Sequence, residues 1–409
     1  MGEETAGRRG FALPEASTVT MLRQRNRALV LKHIILAQET TRAAIAKASG
    51  LSTASTTNLV TELLDEGLVE ERGSRSSQGG RPIAILGPRA DSAITIGADV
   101  GERGVAIEIF DLAMNRIDRE FRGGREQETP TMIAADIRDA LDALRQRNLE
   151  RWPTLLGVGL GLPGLVETHA DGGQTLFAQS LGWPPVAIDD LCTVDGVPVF
   201  AENGAKMQTR AELWFGQARG LRHALVALLG RGIGLGVIAD GELSRGAVSS
   251  AGEWGHTVIE RAGRICRCGN LGCVEAYLGA DAILERWREQ GGEFEGSGWN
   301  AVGELVAQAR AGVHEADMVL TAVIDDLGSA LGSMVNLTNP ERIVVGGWVG
   351  LRLMESHPAE LAAAVRRHSL ARLGEQFDVK PAQFGGDSVA LGAALLPLEA
   401  LIAADRSVA

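Results

Sequence analysis

Apolar residues recur with helical spacing through the first ninety positions. In MLRQRNRALVLKHIILAQ, Leu22, Ala28, Leu29, Ile34 and Ile35 mark one face of a first helix. TRAAIAKASG predicts a short second helix that ends at Gly50, where a left-handed residue stops it. A third follows over LSTASTTNLVTELLDEGL. Ser52 and Thr53 are capping types, and Leu59, Val60, Leu63 and Leu64 form an apolar stripe that leaves Ser55, Thr56, Thr57, Asn58 and Thr61 toward solvent. LVEE and PIAIL then read as strands enclosing RGSRSSQGGR. A short helix, a tight glycine turn, a helix with small hydrogen-bonding side chains and a hairpin make a winged helix-turn-helix. Its candidate DNA contacts are Ser55, Thr56, Thr57 and Asn58 on the third helix, with Arg72, Arg75 and Arg81 on the wing for phosphates or a minor groove. The alternative is a helical dimerisation module, which needs neither a Ser/Thr face nor an arginine-bearing loop.

Beyond a linker near Gly87 to Asp91 the pattern changes. AITIGADV, GVAIEIF, LLGVGLGLP, HALVALLG, LGVIADG and RIVVGG read as strands, and TMIAADIRDALDALRQ and MVLTAVIDDLGSALGSMVNLT as amphipathic helices. Strands alternating with helices predict an α/β domain. The expected organisation is a flexible segment over 1–17, a winged helix-turn-helix over 18–87 and the α/β body over 92–405. Glycine-rich strand-to-turn junctions at Gly101, at Gly230 to Gly234 and at Gly346-Gly347 suggest two related halves closing over a cleft lined by backbone amides.

Charge sharpens this division. Residues 1–90 hold 12 Lys and Arg against 9 Asp and Glu, which leaves 28 against 43 for the remainder. A mildly basic head on an acidic body fits a nucleic-acid module joined to a small-molecule domain, although a solvated charged surface gives the same asymmetry. No signal peptide or apolar run of about 18 residues is evident, so the chain reads as soluble and cytoplasmic, with no membrane partner. Thiols clustered in a reducing compartment are more often metal ligands than disulfides. Cys266, Cys268 and Cys273 fall within eight residues and follow His256 by ten. Three sulfurs and one nitrogen complete a tetrahedral zinc site with no open position, so the expected zinc is structural, a chance cluster of buried thiols being the alternative. Cys192 is expected in the core.

The string from His256 to Glu275, H-x9-C-x-C-G-x2-G-C-x-E preceded by Glu253-x-Gly255, resembles the zinc signature of the ROK proteins (repressors, open reading frames and sugar kinases). The winged head, the glycine loops and NPERIVVGG occur in the order that resemblance leads one to expect. It implies a two-lobed actin-like ATPase fold of ribonuclease H type with a zinc knuckle, a hexose in the cleft, and a homodimer or a tetramer. ROK kinases usually lack the head and ROK repressors carry it.

Position by position, the resemblance separates two halves of the site. The kinases' catalytic aspartate stands in Glu-Asn-Asp-Ala, whereas this chain reads Glu202-Asn203-Gly204-Ala205, so the general base is missing, at a typical cost of about 10²- to 10⁴-fold in rate. Rescue by Glu202 stays open. The first phosphate loop departs as well, with Asp99-Val100-Gly101 running into Glu102-Arg103, and Arg231 and Trp348 replace an expected Thr and Gly. The sugar-facing groups match: Asn203, Glu253, His256 and Glu275 stand where the family contacts its hexose, with simple surface salt bridges as the alternative for the two glutamates. Trp183 in SLGWPP either stacks on a sugar ring or fills a core or hinge position. The reading is a sugar-responsive transcriptional regulator, a repressor of carbohydrate genes without kinase activity, acting on palindromic operator DNA with a sugar or sugar phosphate as effector. Its alternative is an ATP-dependent hexose kinase with a fused DNA-binding head.

Overall fold

The computed structural model describes residues 19–76, 82–101, 104–125, 128–296, 298–386 and 388–403. The segment 1–17 expected to be flexible, the wing residue Arg81 and the loop residues Glu102 and Arg103 lie outside the described residues. Contacts divide the chain into two compact units, Met1–Pro88 with Ala400–Ala409, and Arg89–Glu399.

In the small unit three helices, α1 (Val19–Ala37), α2 (Arg42–Ser49) and α3 (Thr53–Asp65), precede an antiparallel pair, β1 (Val69–Arg75) and β2 (Ile83–Pro88). Local chemistry sets the helix ends. The Thr41 hydroxyl accepts from Ala44 N and the Ser52 hydroxyl from Ser55 N, caps that contribute about 1 kcal/mol each. Gly50, at φ +71°, terminates α2 in the left-handed region. Val30, Leu31, Ile34 and Ile35 of α1 pack in a core with Ile45, Leu59, Val60, Leu63 and Leu86. Two positions of the expected α1 face differ: Leu22 and Leu29 are exposed, because the buried stripe runs through Arg27, Val30 and Leu31 instead. The Arg27 guanidinium tolerates that burial by pairing with Glu62 of α3 and with Glu66 just beyond its end.

The large unit is built from two sheets of one topology. The first lobe comprises β3 (Ile94–Gly101), β4 (Gly104–Asp111), β5 (Arg116–Gly123), α4 (Pro130–Arg147), β6 (Leu155–Leu162), the small strands β7 (Leu165–Thr168), β8 (Gln174–Phe177) and β9 (Val186–Ala187), α5 (Ile188–Leu191) and β10 (Val199–Asn203). Its sheet runs β10-β6-β3-β4-β5, and β7-β8-β9 form a sheet of their own. After α6 (Gly204–Phe215) come β11 (Ala224–Leu229), β12 (Ile233–Ala239) and β13 (Glu242–Leu243). The helices α7 (Glu275–Leu278), α8 (Ala280–Glu289), α9 (Gly298–Arg310) and α10 (His314–Thr338) follow, before β14 (Arg342–Gly346). The chain continues through α11 (Gly347–Ser356), α12 (Pro358–Arg367), α13 (Ala371–Gly374), β15 (Asp378–Pro381) and α14 (Ser388–Ala403). The second sheet runs β13-β12-β11-β14-β15. In each lobe the first three strands pair antiparallel and the last two join parallel to the first. The six strand runs read from hydropathy all form strands in this framework.

Each sheet receives a helix on in-strand glycines. A Cβ at Gly159 of β6 would lie 2.0 Å from Ala393 O of α14, and one at Gly236 of β12 would lie 1.8 Å from Thr209 Oγ1 of α6. The two helices meet where a Cβ at Gly392 would lie 1.8 Å from Met207 O. Trp214 Nε1 adds a hydrogen bond to Glu399 Oε1 at 3.0 Å.

The helix read from MVLTAVIDDLGSALGSMVNLT is α10. By length and composition α10 is apolar enough to cross a membrane, with a window of mean hydropathy 1.4, but 56% of that window is buried. Two of its four acidic residues face basic partners: Asp325 pairs with Arg367 and His368, and Asp326 with Arg286. It is the core helix of the second lobe. Trp183 packs against the first-lobe core and donates from Nε1 to Glu128 O at 3.0 Å, so it stands away from the cleft. Cys192 is buried, and burial pushes its thiol up to about 12.

Candidate functional site

A cavity of about 840 Å³ opens in the large unit, and all three glycine junctions read from the sequence line it: Gly101, the run of Gly230, Gly232 and Gly234, and Gly347. The sugar-facing candidates Asn203, Glu253, His256 and Glu275 line it too. Each is placed by local backbone. Glu253 begins a 3-10 turn over Trp254–His256, in which His256 N donates to Glu253 O at 3.0 Å, so both side chains face one cavity. Burial pushes the Glu253 carboxyl up, an effect opposed by His256 and Lys206 and reinforced by Glu275 and Glu202. Glu275 opens α7, and its Oε2 accepts from Ile233 N at 3.0 Å. Asn203 caps α6: its Oδ1 accepts from Ala205 N and Lys206 N, and its Nδ2 donates to Gly164 O. That leaves one amide N–H, so Asn203 can offer a ligand a single donor rather than a donor and an acceptor.

Behind this wall His256, Cys266, Cys268 and Cys273 bring one ligand atom each to within 4.8 Å of one another. The spacing fits a tetrahedral metal. Bonds of about 2.3 Å to sulfur and about 2.0 Å to nitrogen separate two sulfurs by about 3.8 Å and a sulfur from a nitrogen by about 3.6 Å. Cys268 Sγ and Cys273 Sγ stand 3.8 Å apart, and Cys266 Sγ lies 3.7 Å from His256 Nδ1. Burial pushes the Cys266 thiol up to about 12 and raises Cys273, so a divalent cation held there would supply the charge that makes them thiolates. The loop closes tightly: Gly272 sits at φ +77°, and a Cβ there would lie 1.7 Å from Glu260 O.

At the position where the resemblance expects the kinases' aspartate, Gly204 begins α6, and among the described residues a Cβ there would meet nothing nearer than Leu162 O at 3.7 Å. Its missing side chain is therefore not forced by space. Nor does Glu202 replace it. Glu202 is buried outside the cavity lining, with Oε1 accepting from Asn203 N at 2.9 Å and Oε2 from Ser249 Oγ at 2.6 Å. Lys206, also buried, lies 3.5 Å from Glu202 and donates to Ser249 O.

Elsewhere in the lining, Arg231 Nε donates to Asp281 Oδ2 at 2.6 Å, and Trp348 Nε1 would lie 3.2 Å from a Cβ at Gly230. Residues the sequence reading missed also line it. Arg267, between two cysteine ligands, reaches Glu275 Oε1 at 3.4 Å and Arg231 O at 3.3 Å. Trp299 stands beneath the Arg352 guanidinium, 3.7 Å from the ring centroid. Arg267 was legible from its place in the metal loop; Trp299 comes from a helix far along the chain and carries no local signal.

In the small unit, Ser55, Thr57 and Asn58 are exposed on α3, and Arg75 is exposed at the end of β1. Two expected contacts are corrected. Thr56 is fully buried, because on α3 it falls on the same side as Leu59, Val60 and Leu63. Arg72 donates to Gln38 O at 3.1 Å, Pro88 O at 2.7 Å and Glu70, so its guanidinium ties the hairpin to the helices.

Comparison with known proteins agrees with this architecture. The ROK family profile matches residues 95–400. The xylose repressor of Caldicellulosiruptor bescii is 30% identical over 336 residues, covering 80% of this chain and 84% of the repressor. A solved ROK family transcriptional regulator, a homologue of the Escherichia coli Mlc protein, superposes with a TM-score of 0.77 at 23% identity, covering 94% of this chain and 98% of its own. A ROK family glucokinase from Streptomyces griseus, solved with glucose and AMPPNP, superposes with a TM-score of 0.63 at 25% identity, covering 99% of itself but 74% of this chain.

Proposed function

Because the chain belongs to the ROK family, we propose that it is a sugar-responsive transcriptional regulator, a repressor of carbohydrate genes, without sugar kinase activity. The observation that carries this reading is coverage. The regulator fold extends over 94% of the chain, whereas the glucokinase fold accounts for 74%. The emptied base position at Gly204, with Glu202 committed elsewhere, supports it.

In this reading residues 18–87 are a winged helix-turn-helix that enters the major groove with Ser55, Thr57 and Asn58 of α3, while Arg75 meets phosphate; Arg81 is retained as a wing contact from the sequence. Residues 92–405 form the sensor. Asn203, Glu253, His256 and Glu275 hold the sugar, and structural zinc on His256 Nδ1 and the three cysteines fixes the imidazole with Nε2 left for a hydroxyl. The protein works in the cytoplasm as a homodimer or tetramer on a palindromic operator. Closing the two lobes on sugar alters the DNA-competent state, and a ligand preferring one state by about 10⁴-fold moves the balance from about 1:99 to 99:1.

Fluorescence anisotropy of the full-length protein on DNA from upstream of its own gene, at fixed salt, tests this. The expected result is nanomolar binding that a sugar shifts and that Glu253→Ala renders insensitive to sugar. Absence of specific DNA binding together with hexose-dependent ATP consumption would make the chain a kinase.

A further inference from the structure

The groups assigned to sugar make up only part of one cavity lining. Glu253, His256 and Glu275 share a space of about 840 Å³ with the glycine loop, Trp348 and Trp299. That volume stands near the top of the range for small-molecule pockets and is several times what one pyranose fills. The loop links these groups. Glu275 accepts from Ile233 N at 3.0 Å, Arg267 bridges Glu275 at 3.4 Å to Arg231 O at 3.3 Å, and Trp348 Nε1 sits over the start of the same loop at Gly230.

Charge narrows the ligand. Among the described residues three arginines line the cavity, and each already faces a carboxylate: Arg231 is paired with Asp281 at 2.6 Å, Arg267 with Glu275 at 3.4 Å and Arg119 with Glu108 at 3.3 Å. A phosphate group would have to break those pairs and would meet Asp99 and Glu253 in the same cavity. The lining indoles instead offer apolar surface of the size of a sugar ring, Trp348 with its N–H toward Gly230 and Trp299 with one face under Arg352. We propose that the cavity takes a neutral glycoside of at least two rings, one held by Glu253, His256 and Glu275 and the next packed on the lining indoles of Trp348 and Trp299. The proposal rests on the sugar-sensor reading and specifies its ligand.

Isothermal titration calorimetry of the full-length, metal-replete protein separates the two. The probes are glucose, xylose, glucose 6-phosphate, cellobiose, maltose and xylobiose. At least one disaccharide is expected to bind about tenfold or more tighter than its monosaccharide. Trp348→Ala should erase that gain and leave monosaccharide affinity unchanged, whereas Glu253→Ala should weaken both. Trp299→Ala, at an exposed position, reports the same selective loss if Trp348→Ala does not fold. Monosaccharides binding as tightly as disaccharides, or glucose 6-phosphate binding tightest, would overturn the two-ring proposal and leave the sensor reading standing. Binding of none of the six overturns both.

Discussion

The two lobes share a strand order but differ in what fills the gap between the third and fourth strands. In the first lobe, one helix, α4, bridges β5 to β6, and the small sheet β7-β8-β9 comes later. In the second lobe, nearly a hundred residues separate β13 from β14, including the metal loop, the Glu253 turn and α7 to α10. One sheet plan therefore serves two purposes. The first lobe lines the cavity with Asp99, Arg119 and Asn203, and the second adds Glu253, Glu275 and the metal-ligand candidate His256. On the sugar-sensor reading, most of the recognition chemistry lies in the insertion, while the common framework is held by glycine-seated helices.

The largest effect expected from breaking this contrast is at the metal. Cys273→Ser should reduce bound zinc from about one equivalent to a small fraction, read by elemental mass spectrometry, because a closed site loses most of its affinity with one ligand. Hydrogen exchange should then rise across 252–279 and remain unchanged in β3 to β6. Equal loosening of both lobes would show that the metal supports the whole unit rather than the insertion.

Two glycines should separate packing from chemistry. Gly159→Ala forces a Cβ into the backbone of α14 and should cost about 1–3 kcal/mol in urea unfolding. Gly204→Ala enters open space at the first turn of α6 and should be neutral or stabilising by up to about 1 kcal/mol, with sugar binding kept. Gly204→Asp restores a carboxylate but should not restore ATP turnover, since Trp348 and the Arg231–Asp281 pair remain in the same cavity. Turnover by that variant, in a coupled assay, would show the nucleotide half to be intact.

The smallest effect sharpens the comparison on the first-lobe side. Arg147 of α4 pairs with Asp118 and Glu120 of β5, and holds both carboxyls below their usual range chiefly through its hydrogen bonds. Groups with lowered folded values stabilise above the unfolded values near pH 4 and lose that contribution as pH falls through the folded ones. These partly exposed pairs are screened, so Arg147→Ala should cost no more than about 1 kcal/mol at pH 7 and nothing at pH 2, read from urea midpoints.

How far the site was legible follows from how local each signal is. The metal ligands sit within eighteen residues, and their types and spacing announce a tetrahedral set before any fold is known. Glu253 and His256 share a turn, so their common direction was legible as well. Trp183 was not, because an aromatic beside prolines reads the same whether it meets a ligand or the core. Thr56 and Arg72 went astray for a related reason. Periodicity gives a helix face to within about one residue, and a guanidinium on a hairpin reads as solvent-facing until the backbone carbonyls that capture it are known.

The in-strand glycines mark the boundary most clearly. LLGVGLGLP reads correctly as a strand, but nothing in it tells that Gly159 receives a helix more than two hundred residues away. What the sequence by itself determined was the local order: the helices and strands, the metal set, the loss of a carboxylate at 204 and the family. What only the tertiary structure decided was which of those groups share one cavity, which arginines are already spent on carboxylates, and which glycines exist for close approach. Periodicity, capping and ligand spacing act over a few bonds and are written in neighbouring letters. Burial, pairing and steric exclusion act between residues distant in the chain, and take values only once the chain has folded.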